Sequence, residues 1–524
     1  MKQPQWTVRG TGANAAQDGP ARPETGSDVT VHQFIDGKLC EGSGHEAFSV
    51  LDPATGRPVS TAPLATPDDV DAAVAAARRA FPEWSGAAPG ERSAALHKLA
   101  AILDERSDEL ARTESRQTGK PIRLSTGFDV PGTVDNAAFF AGAARQLEGK
   151  AQAEYLPGLS STVRREAIGV VGSIAPWNYP LQMAGWKILP AIAAGNTIVL
   201  KPAEITPLTA LMFAQAAADA GIPDGVVNVV TGRGAVAGEA LMAHPGVDMV
   251  SFTGSTPVGK RVAQVAAQTV KRVHLELGGK APFVVFDDAD LEAAIHGAVA
   301  GSLINTGQDC TAATRAYVHR SRFAEFVEGV AELFGRIRLG DPFDEATDLG
   351  PLSSLIQRDR VAGFVERARG HGATVVTGGA APTGLAADFA AGAYYLPTLI
   401  IDAPQDSEIV QQEVFGPVLA ALPFDSDDEA IRLANDTPFG LAASAWTRDL
   451  VRAHRASREI DAGCVWINDH IPITSEMPHG GFRQSGYGKD MSAYSVEEYT
   501  QVKHVMHDVT GIARKDWHRT IFAL

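Results

Sequence analysis

The 524-residue sequence contains little cysteine, no long apolar run and no excess of positive charge. Its three cysteines, Cys40, Cys310 and Cys464, lie far apart and form no C-x-x-C pair. This pattern argues against a disulfide framework or a thiolate zinc site and favours a reducing cytoplasm. No apolar run reaches the roughly 18 residues of a membrane span, and the N-terminus lacks the basic and apolar segments of a secretory signal. We therefore expect a cytoplasmic protein without a membrane partner.

The charge balance argues against nucleic acid as a partner. Lys and Arg number 46 against 62 Asp and Glu, so the formal net charge is −16. A field of this sign repels phosphate backbones. The hydrophobic share of 45% and the length are those of a globular enzyme with several domains rather than a disordered chain.

The order of apolar runs predicts an α/β protein. From about residue 170 to 286, short apolar runs such as residues 197–200 and 249–252 alternate with helical segments, which is typical of a parallel sheet with crossover helices. The alternation resumes after Cys310 and predicts a second α/β unit. Residues 1–30 lack periodicity and are predicted to be a mobile arm. The glycine pair at residues 278–279 marks the expected boundary between the two units.

Three polar residues stand where chemistry is expected. Cys310 lies in the polar stretch GQDCT at residues 307–311, which predicts an accessible thiol and a candidate nucleophile, although a lone cysteine is more often inert core. Glu276 would end a strand just before two glycines, so it is a candidate general base or a solvent-facing carboxylate. Asn178, between two prolines in the segment PWNYP, is a candidate oxyanion donor or an Asx turn.

Two glycine segments could approach a nucleotide phosphate. Residues 254–259 follow a predicted strand and include a proline suited to helix entry, whereas the rival segment at residues 232–234 lacks the third glycine of the dinucleotide fingerprint. Lys201 and Glu204 come directly after the strand at residues 197–200, where they could contact ribose hydroxyls. Each of these features is weak evidence when taken alone.

Together these segments resemble the aldehyde dehydrogenase superfamily from about residue 34 to about residue 506. Six motifs in the family's order carry the resemblance: PWN at 176–178, KPAE at 201–204, GST to Gly259 at 254–259, ELGGK at 276–280, GQDC at 307–310 and EVFGP at 413–417. The resemblance implies that Cys310 is the nucleophile, Glu276 the base that activates water, and Asn178 the oxyanion donor together with the Cys310 N–H. It implies an enzyme that oxidises an aldehyde to a carboxylic acid. His470 and His479 do not have the usual spacing of metal ligands, so no catalytic metal is expected.

The same resemblance implies a cofactor site. It would be formed by Trp177, Lys201, Glu204, Gly234, Gly254, Ser255, Glu413 and Phe415. Lys201 and Glu204 would hold the adenosine ribose, Ser255 the pyrophosphate and Glu413 the nicotinamide ribose, with Phe415 near the nicotinamide. A carboxylate beside the ribose disfavours a 2′-phosphate, so Glu204 predicts NAD.

The implied fold is a doubly wound Rossmann-type cofactor domain, an α/β catalytic domain and a small β oligomerisation element. We expect the cofactor domain at residues 31–146 and 169–277 and the catalytic domain at 278–494. The oligomerisation element would take residues 147–168 and 495–508, followed by a tail at 509–524. A homo-oligomer is expected, either a dimer or a tetramer.

Within the superfamily, the segments at residues 307–313, 475–481 and 485–491 are similar to bacterial γ-aminobutyraldehyde dehydrogenases, which act in putrescine breakdown. The resemblance places Tyr179, Met183 and Trp186 in the aldehyde tunnel. Aromatic faces and carboxylates attract an ammonium group, so Asp309 and Glu476 are predicted to recognise it, unless both acids are solvated or paired elsewhere.

Alternative substrates and one alternative class stay open. A betaine aldehyde or general short-chain aldehyde dehydrogenase would need a similar pocket, whereas succinate semialdehyde would need an arginine that the named tunnel segments do not contain. A catalytically silent family member would act as a binding or structural protein. His479 departs from the aromatic residue that many family members carry, which puts a purely apolar tunnel in doubt.

Overall fold

The computed structural model of the protein describes residues 30–149 and 151–523, so the predicted arm at residues 1–30 lies outside the described residues except for Thr30. The strands are, in chain order, β1 (Gln33–Ile35), β2 (Lys38–Cys40), β3 (Ala47–Leu51), β4 (Pro58–Pro63), β5 (Ala153–Leu156), β6 (Leu159–Ala167), β7 (Val170–Ile174), β8 (Thr197–Lys201), β9 (Val227–Val229), β10 (Met249–Thr253), β11 (Arg272–Glu276), β12 (Ala281–Val285), β13 (Ala313–His319), β14 (Thr374–Thr377), β15 (Thr398–Ile401), β16 (Val418–Phe424), β17 (Ala442–Trp446), β18 (Cys464–Ile467), β19 (Gly486–Tyr487) and β20 (Thr500–Asp508).

The helices are α1 (Pro67–Gly86), α2 (Pro89–Glu105), α3 (Ser107–Thr118), α4 (Ile122–Leu124), α5 (Val130–Ala143), α6 (Pro180–Ala193), α7 (Leu208–Asp219), α8 (Glu239–Ala243), α9 (Thr256–Ala267), α10 (Leu291–Leu303), α11 (Arg320–Arg336), α12 (Leu355–Gly370), α13 (Glu408–Gln411), α14 (Asp427–Asn435), α15 (Leu450–Glu459) and α16 (Ser492–Glu498). Across the described ranges, no helix combines the length and the apolar character that crossing a lipid bilayer requires.

The first sheet is doubly wound and has the strand order β19-β11-β10-β7-β8-β9-β1-β2. Its five central strands, β11, β10, β7, β8 and β9, are parallel, and the chain moves outward from β7 to β9 before it returns to place β10 and β11 on the other side of β7. Helices cover both faces, so every residue of β7 and β8 is buried. A sheet wound in this way leaves a crevice at the carboxyl ends of its strands where the order reverses.

The second sheet has the order β14-β15-β16-β13-β12-β17-β18 and is parallel except for its edge strand β14. Clusters of buried apolar side chains lie on both of its faces. Two α/β units therefore stand side by side, which confirms the predicted fold class. The segment after the second sheet also supplies an edge strand to the first sheet, since β19 pairs antiparallel with β11. The segment expected to form the catalytic domain thus includes an edge strand of the first sheet.

A small third sheet has the order β20-β6-β5. Strand β20 pairs antiparallel with β6 along its whole length, so the hairpin near residue 160 and the C-terminal strand lie together. Several of its apolar side chains are exposed, among them Tyr155 and Val502. The following tail ends in a short 3-10 turn at Asp516–Thr520 with an exposed Trp517.

Candidate active site

A cavity of about 300 Å³ lies between the two α/β units. The first sheet contributes residues that directly follow the carboxyl ends of β7, β10 and β11, and the second unit contributes residues that precede β13 and β16. The lining residues used below are Phe128, Trp177, Asn178, Tyr179, Met183, Trp186, Gly254, Ser255, Glu276, Gly278, Asp309, Cys310, Gln357, Arg360, Glu413, Phe415, Ile471, Ile473, His479 and Asp490. The three predicted catalytic residues therefore share one cavity.

Cys310 lies at the cavity wall in a half-buried turn before β13. Burial raises the pKa of its thiol well above the usual value, and the nearby carboxylates of Asp309, Glu276 and Glu413 raise it further. The thiol is therefore the favoured form, and its proton must leave when the sulfur attacks an electrophile.

The backbone before Cys310 is held in an unusual conformation. Asn305 and Thr306 have φ values of +48° and +58°, and a β-branched residue such as Thr306 rarely adopts this region. Gly307 follows with a positive φ, and a Cβ there would lie 2.2 Å from the Gly416 carbonyl oxygen. Gln308 Oε1 accepts from the Ser353 N–H at 2.9 Å and so holds the loop to the second unit. The nucleophile is thus presented by a strained and tightly packed loop.

Glu276 is the last residue of β11, as the sequence predicts, and it is buried in the cavity wall. Its Oε1 atom has no hydrogen-bond partner among the described residues. Burial raises the pKa of its carboxyl well above the usual value, the charge of Asp490 adds to this, and Lys187 and Lys489 oppose it. A buried carboxylate with a raised pKa and a free oxygen is suited to accept a proton in the cavity.

The glycine pair after Glu276 allows two close approaches. A Cβ on Gly278 would lie 2.4 Å from the Glu413 carboxylate, and one on Gly279 would lie 2.3 Å from the Cys310 carbonyl oxygen. The Gly279 N–H donates to Glu413 Oε1 at 3.0 Å. Because neither glycine has a side chain, the end of β11, the loop that carries Cys310 and Glu413 can lie in contact.

Asn178 follows β7 and is buried beside the nucleophile loop. Its Nδ2 donates to the Gln308 carbonyl oxygen at 3.0 Å, and its own carbonyl oxygen accepts from Asn305 Nδ2 at 2.8 Å. An amide carries two N–H donors, so one remains for a ligand in the cavity. The first bond orients the side-chain amide and the second holds the Asn178 backbone, so the amide is placed as an oxyanion donor requires.

Ser255 and Glu413 lie on the side of the cavity expected to hold a dinucleotide. Ser255 precedes the 12-residue helix α9, and its hydroxyl makes no capping bond to that helix. Glu413 is buried enough to raise the pKa of its carboxyl to about 7. Phe415 packs edge-on against Trp177 with ring centroids 5.3 Å apart. A free hydroxyl at a helix start and a buried acid near an aromatic pair fit a phosphate and a ribose with its base.

Two residues of α12 hold this turn and are missed by the sequence reasoning. Arg360 donates to the Glu413 and Val414 carbonyl oxygens, and Gln357 Nε2 donates to the Phe415 carbonyl oxygen at 2.7 Å. These bonds hold Phe415 at a φ of +61°. No motif marks either residue, because each lies more than 50 positions away from the turn.

Lys201, Glu204 and Gly234 form a separate group outside the cavity. Lys201 Nζ lies 3.9 Å from Glu204 and donates to the Gly232 carbonyl oxygen at 3.1 Å, which brings the second glycine segment beside β8. Burial lowers the pKa of Lys201 to about 8. Gly234 is exposed and begins the π-helical turn Gly234–Gly238. All three residues border the same carboxyl edge of the first sheet as the cavity.

The opposite part of the cavity is mainly aromatic and apolar. Tyr179, Met183 and Trp186 line it, together with Phe128, Ile471 and Ile473. His479 packs against Trp186 with ring centroids 5.1 Å apart, and burial lowers its pKa to about 4. His479 is therefore neutral and serves as part of the wall.

The two acids predicted to recognise an ammonium group are placed differently. Asp309 lines the cavity and accepts from the Tyr179 hydroxyl at 2.8 Å, while its other oxygen accepts from Thr311. Glu476 is exposed and does not line the cavity. The neighbouring residue Ser475, by contrast, is buried.

Behind Tyr179 lies a buried ionic group that the sequence does not reveal. Lys120 Nζ is 2.7 Å from Asp129 and 3.7 Å from Glu114, and it lies 4.1 Å from the centre of the Tyr179 ring. Burial, opposed by Lys120, raises the pKa of Asp129 to about 7. A second buried pair, Lys187 and Asp490 at 2.8 Å, lies beside Glu276. Among residues 30–149 and 151–523, no group of three or more His, Cys, Asp or Glu could hold a metal ion.

Comparison with known proteins agrees with this geometry. The model described as "Aldehyde dehydrogenase family" matches residues 40–505. DhaS of Bacillus subtilis strain 168 is 40% identical over 489 residues, which are 92% of this chain and 97% of DhaS. PnpE from Pseudomonas sp. WBC-3, solved in complex with nicotinamide adenine dinucleotide, is 42% identical with a TM-score of 0.90 over 92% of this chain and 98% of PnpE. Betaine aldehyde dehydrogenase from Staphylococcus aureus in complex with NAD+ is 36% identical with a TM-score of 0.90 over 92% and 96% of the two chains.

Proposed function

Because this chain belongs to the aldehyde dehydrogenase family and is an NAD-dependent oxidoreductase, we propose that its substrate is an aminoaldehyde, 4-aminobutanal, which it oxidises to 4-aminobutanoate. The reaction would be a step of putrescine breakdown. The observation that carries the proposal is Asp309, a carboxylate that lines the aromatic part of the cavity next to the nucleophile.

In the proposed mechanism, the Cys310 sulfur attacks the aldehyde carbon and its proton passes to water in the cavity. The carbonyl oxygen becomes negatively charged and accepts a hydrogen bond from the free N–H of Asn178, aided by the Cys310 N–H. Loss of one such donor typically slows a reaction by about 10² to 10³. NAD, when bound, supplies a hydride acceptor, so that the substrate is left as a thioester of Cys310.

Hydrolysis of the thioester is assigned to Glu276. Its ionised carboxylate takes a proton from water, the water oxygen attacks the thioester carbon, and the carbon–sulfur bond breaks to release the acid and regenerate Cys310. The free Oε1 atom can face that water. Because burial raises the Glu276 pKa, the base acts only in the ionised fraction, which grows as the pH increases.

The proposed cofactor contacts fit the residues that are present. Lys201 and Glu204 would bind the adenosine ribose, with Gly234 beside them, and Ser255 and Gly254 would face the pyrophosphate at the start of α9. Glu413 would hold the second ribose, with Phe415 and Trp177 against the nicotinamide. The carboxylate of Glu204 next to a ribose hydroxyl supports NAD over NADP.

The charge of the cavity supports a cationic substrate. In the described residues, the aromatic half has the carboxylate of Asp309 on its wall and no Lys or Arg side chain among its lining residues. An ammonium group can approach the Asp309 oxygens and the Tyr179 ring. Lys120 already lies over the Tyr179 ring, so we assign the larger share of ammonium recognition to Asp309.

The test compares 4-aminobutanal with butanal by NADH formation at neutral pH. The substitution Asp309→Asn keeps the shape and removes the charge, and we expect it to lower kcat/KM for 4-aminobutanal about 10- to 100-fold more than for butanal. The ratio of the two substrates cancels any effect of the nearby charge on the Cys310 thiol. Glu476→Gln is the matched control, since this exposed acid should leave the ratio unchanged. Equal losses for both substrates would refute ammonium recognition by Asp309.

Betaine aldehyde is the second candidate, because the Staphylococcus aureus relative bears that name and a trimethylammonium group asks for a similar pocket. The same assay distinguishes it. A higher kcat/KM for betaine aldehyde than for 4-aminobutanal would favour this alternative, and similar values for both and for butanal would favour a general short-chain enzyme. An absence of activity on any aldehyde would favour a silent family member.

The proposed location is the cytoplasm, supported by the scarcity of cysteine and the lack of a C-x-x-C pair. The proposed assembly is a homo-oligomer, a dimer or a tetramer, through the sheet of β5, β6 and β20. Its support is the set of exposed apolar side chains on that sheet, Tyr155, Leu156 and Val502. Sedimentation equilibrium of the full chain measures the number of subunits.

A further inference from the structure

A chain of side-chain hydrogen bonds runs from the cavity wall toward the surface. Trp186 Nε1 donates to Asn136 Oδ1 at 2.7 Å, and Asn136 Nδ2 donates to Ser475 Oγ at 2.6 Å. Ser475 Oγ in turn donates to Asp135 Oδ2. Trp186, Asn136 and Ser475 are all buried. The chain therefore links three separate parts of the sequence, which are helix α6, helix α5 and the segment that follows β18.

The direction of every bond in this chain is fixed by chemistry. The indole nitrogen can only donate, so Asn136 must turn its oxygen toward Trp186 and its nitrogen toward Ser475. The carboxylate at the other end accepts, so the Ser475 hydroxyl proton points to Asp135. An apolar replacement at Asn136 leaves the buried indole N–H and the Ser475 hydroxyl each with one bond fewer.

Two members of this hydrogen-bond chain, Trp186 and Ser475, belong to segments that line the cavity. Trp186 lines the cavity, and the segment of residues 471–479 supplies Ile471, Ile473 and His479 to the same wall. His479 packs on the Trp186 ring, which joins the two surfaces directly. Ile471 has a φ of +89°, a conformation that a branched side chain does not adopt without support.

We propose that Asn136 and Ser475 are specificity-determining positioning residues, which fix the Trp186 indole and the segment of residues 471–479 and so limit the length of aldehyde that fits above Cys310. This inference rests on the proposed aldehyde oxidation but not on the proposed amine. Neither residue lines the cavity, so both act through the residues that they hold. The pocket is thereby shaped for short aldehydes.

The experiment measures kcat and KM for unsubstituted aldehydes from propanal to decanal in the full-length enzyme. For Asn136→Leu, we expect kcat/KM for butanal to fall about 10- to 100-fold, mainly through KM, because one buried hydrogen-bond network is broken. For decanal the loss should be smaller, so the preference shifts toward longer chains. Ser475→Ala should shift it in the same direction, and Ser475→Thr, which keeps the hydroxyl, should retain the wild-type profile. KM for NAD should stay unchanged in each variant.

A double-mutant comparison separates this role from general damage. In a Trp186→Phe background the indole N–H is gone, so Asn136→Leu should cost less than it does in the wild type. Thr133→Val is the matched control, because its buried hydroxyl lies on the same helix and donates to the Asp129 carbonyl oxygen, outside the network of Trp186, Asn136 and Ser475. Asp135→Asn should also keep the profile, since an amide oxygen can accept the same bond.

Losses that are equal across all chain lengths, or strictly additive with Trp186→Phe, would overturn the proposal. Should Asn136→Leu fail to fold, the smaller change Ser475→Ala and its rescue by Ser475→Thr decide the question. The outcome is independent of the amine. A wild-type enzyme without preference for 4-aminobutanal would overturn the proposed substrate, whereas an unchanged length profile in the variants would overturn only the positioning role.

Discussion

Replacing Gly279 by alanine should damage the chemical step by displacing the loop that carries Cys310. The new Cβ would lie 2.3 Å from the Cys310 carbonyl oxygen and 3.3 Å from Leu441 Cβ, so backbone must move on at least one side. Restoring an ordinary contact requires a displacement of about 1 Å, and a misplacement of that size can cost about 10²-fold in rate. We therefore expect the pre-steady-state rate constant of NADH formation to fall about 10²-fold.

The neighbouring glycine gives the contrasting result. On Gly278 the Cβ would meet the end of the Glu413 side chain, which can rotate away. Gly278→Ala should therefore raise KM for NAD about 10-fold through loss of the Glu413 contact and change the chemical rate less. Gly335→Ala is the control, because no atom lies within 4 Å of the added carbon. Stopped-flow absorbance at 340 nm measures all three variants, and thermal melting checks their folding. A folded Gly279→Ala enzyme with a normal burst rate would refute the argument that this contact sets the position of Cys310.

Two further predictions concern buried charges. Each molecule of the Glu276→Gln variant should still form one NADH in a rapid burst, while steady-state turnover falls about 10² to 10⁴-fold because the base is missing. Rapid-mixing kinetics separates the two phases. Loss of the burst as well would contradict the role of Glu276 as the base for hydrolysis. In the wild type the steady-state rate should rise with pH through the raised Glu276 pKa, and this rise should disappear in the variant. Lys120→Met should lower the free energy of unfolding by about 3–5 kcal/mol, because Glu114 and Asp129 lose their cation. Urea titration against the exposed control Lys98→Met measures the loss, which should be smaller in acid, where Asp129 takes up a proton. Equal stability of the two variants would contradict the role of Lys120.

The sequence predicts the parts of the site that depend on strand ends. Glu276 could be placed because an apolar run ends there before two glycines, and those glycines do allow the close approaches to Glu413 and Cys310. Asn178 and Ser255 likewise follow parallel strands, whose carboxyl ends meet at one edge of the sheet. Position along the chain is enough in these cases, because the sheet fixes direction.

Other parts depend on contacts between distant segments, which a single sequence does not reveal. The charge of Glu476 predicts a contact with the substrate, but the direction of a side chain in an irregular segment is set by packing, which here buries Ser475 and leaves Glu476 exposed. Lys120, Gln357 and Arg360 lie on helices or loops without a motif and reach the site only through the tertiary fold. A single boundary at residue 278 also does not separate the two units, because β19 lies within the segment expected to be catalytic and yet joins the first sheet.

That return has a consequence for how the protein is made. Strand β11 ends at residue 276, but its outer neighbour β19 begins only at Gly486, so a ribosome must translate the whole second unit before the first sheet is complete. Until then the edge of β11 presents unpaired N–H and C=O groups that could pair with another nascent chain. Ser485 later closes this seam, since its carbonyl oxygen accepts from the Leu277 N–H at 3.0 Å and its hydroxyl donates to the Gly278 carbonyl oxygen at 2.8 Å. A chain that stops before residue 485 therefore leaves the β11 edge of the first sheet unpaired, although nearly all strands of that sheet have been synthesised.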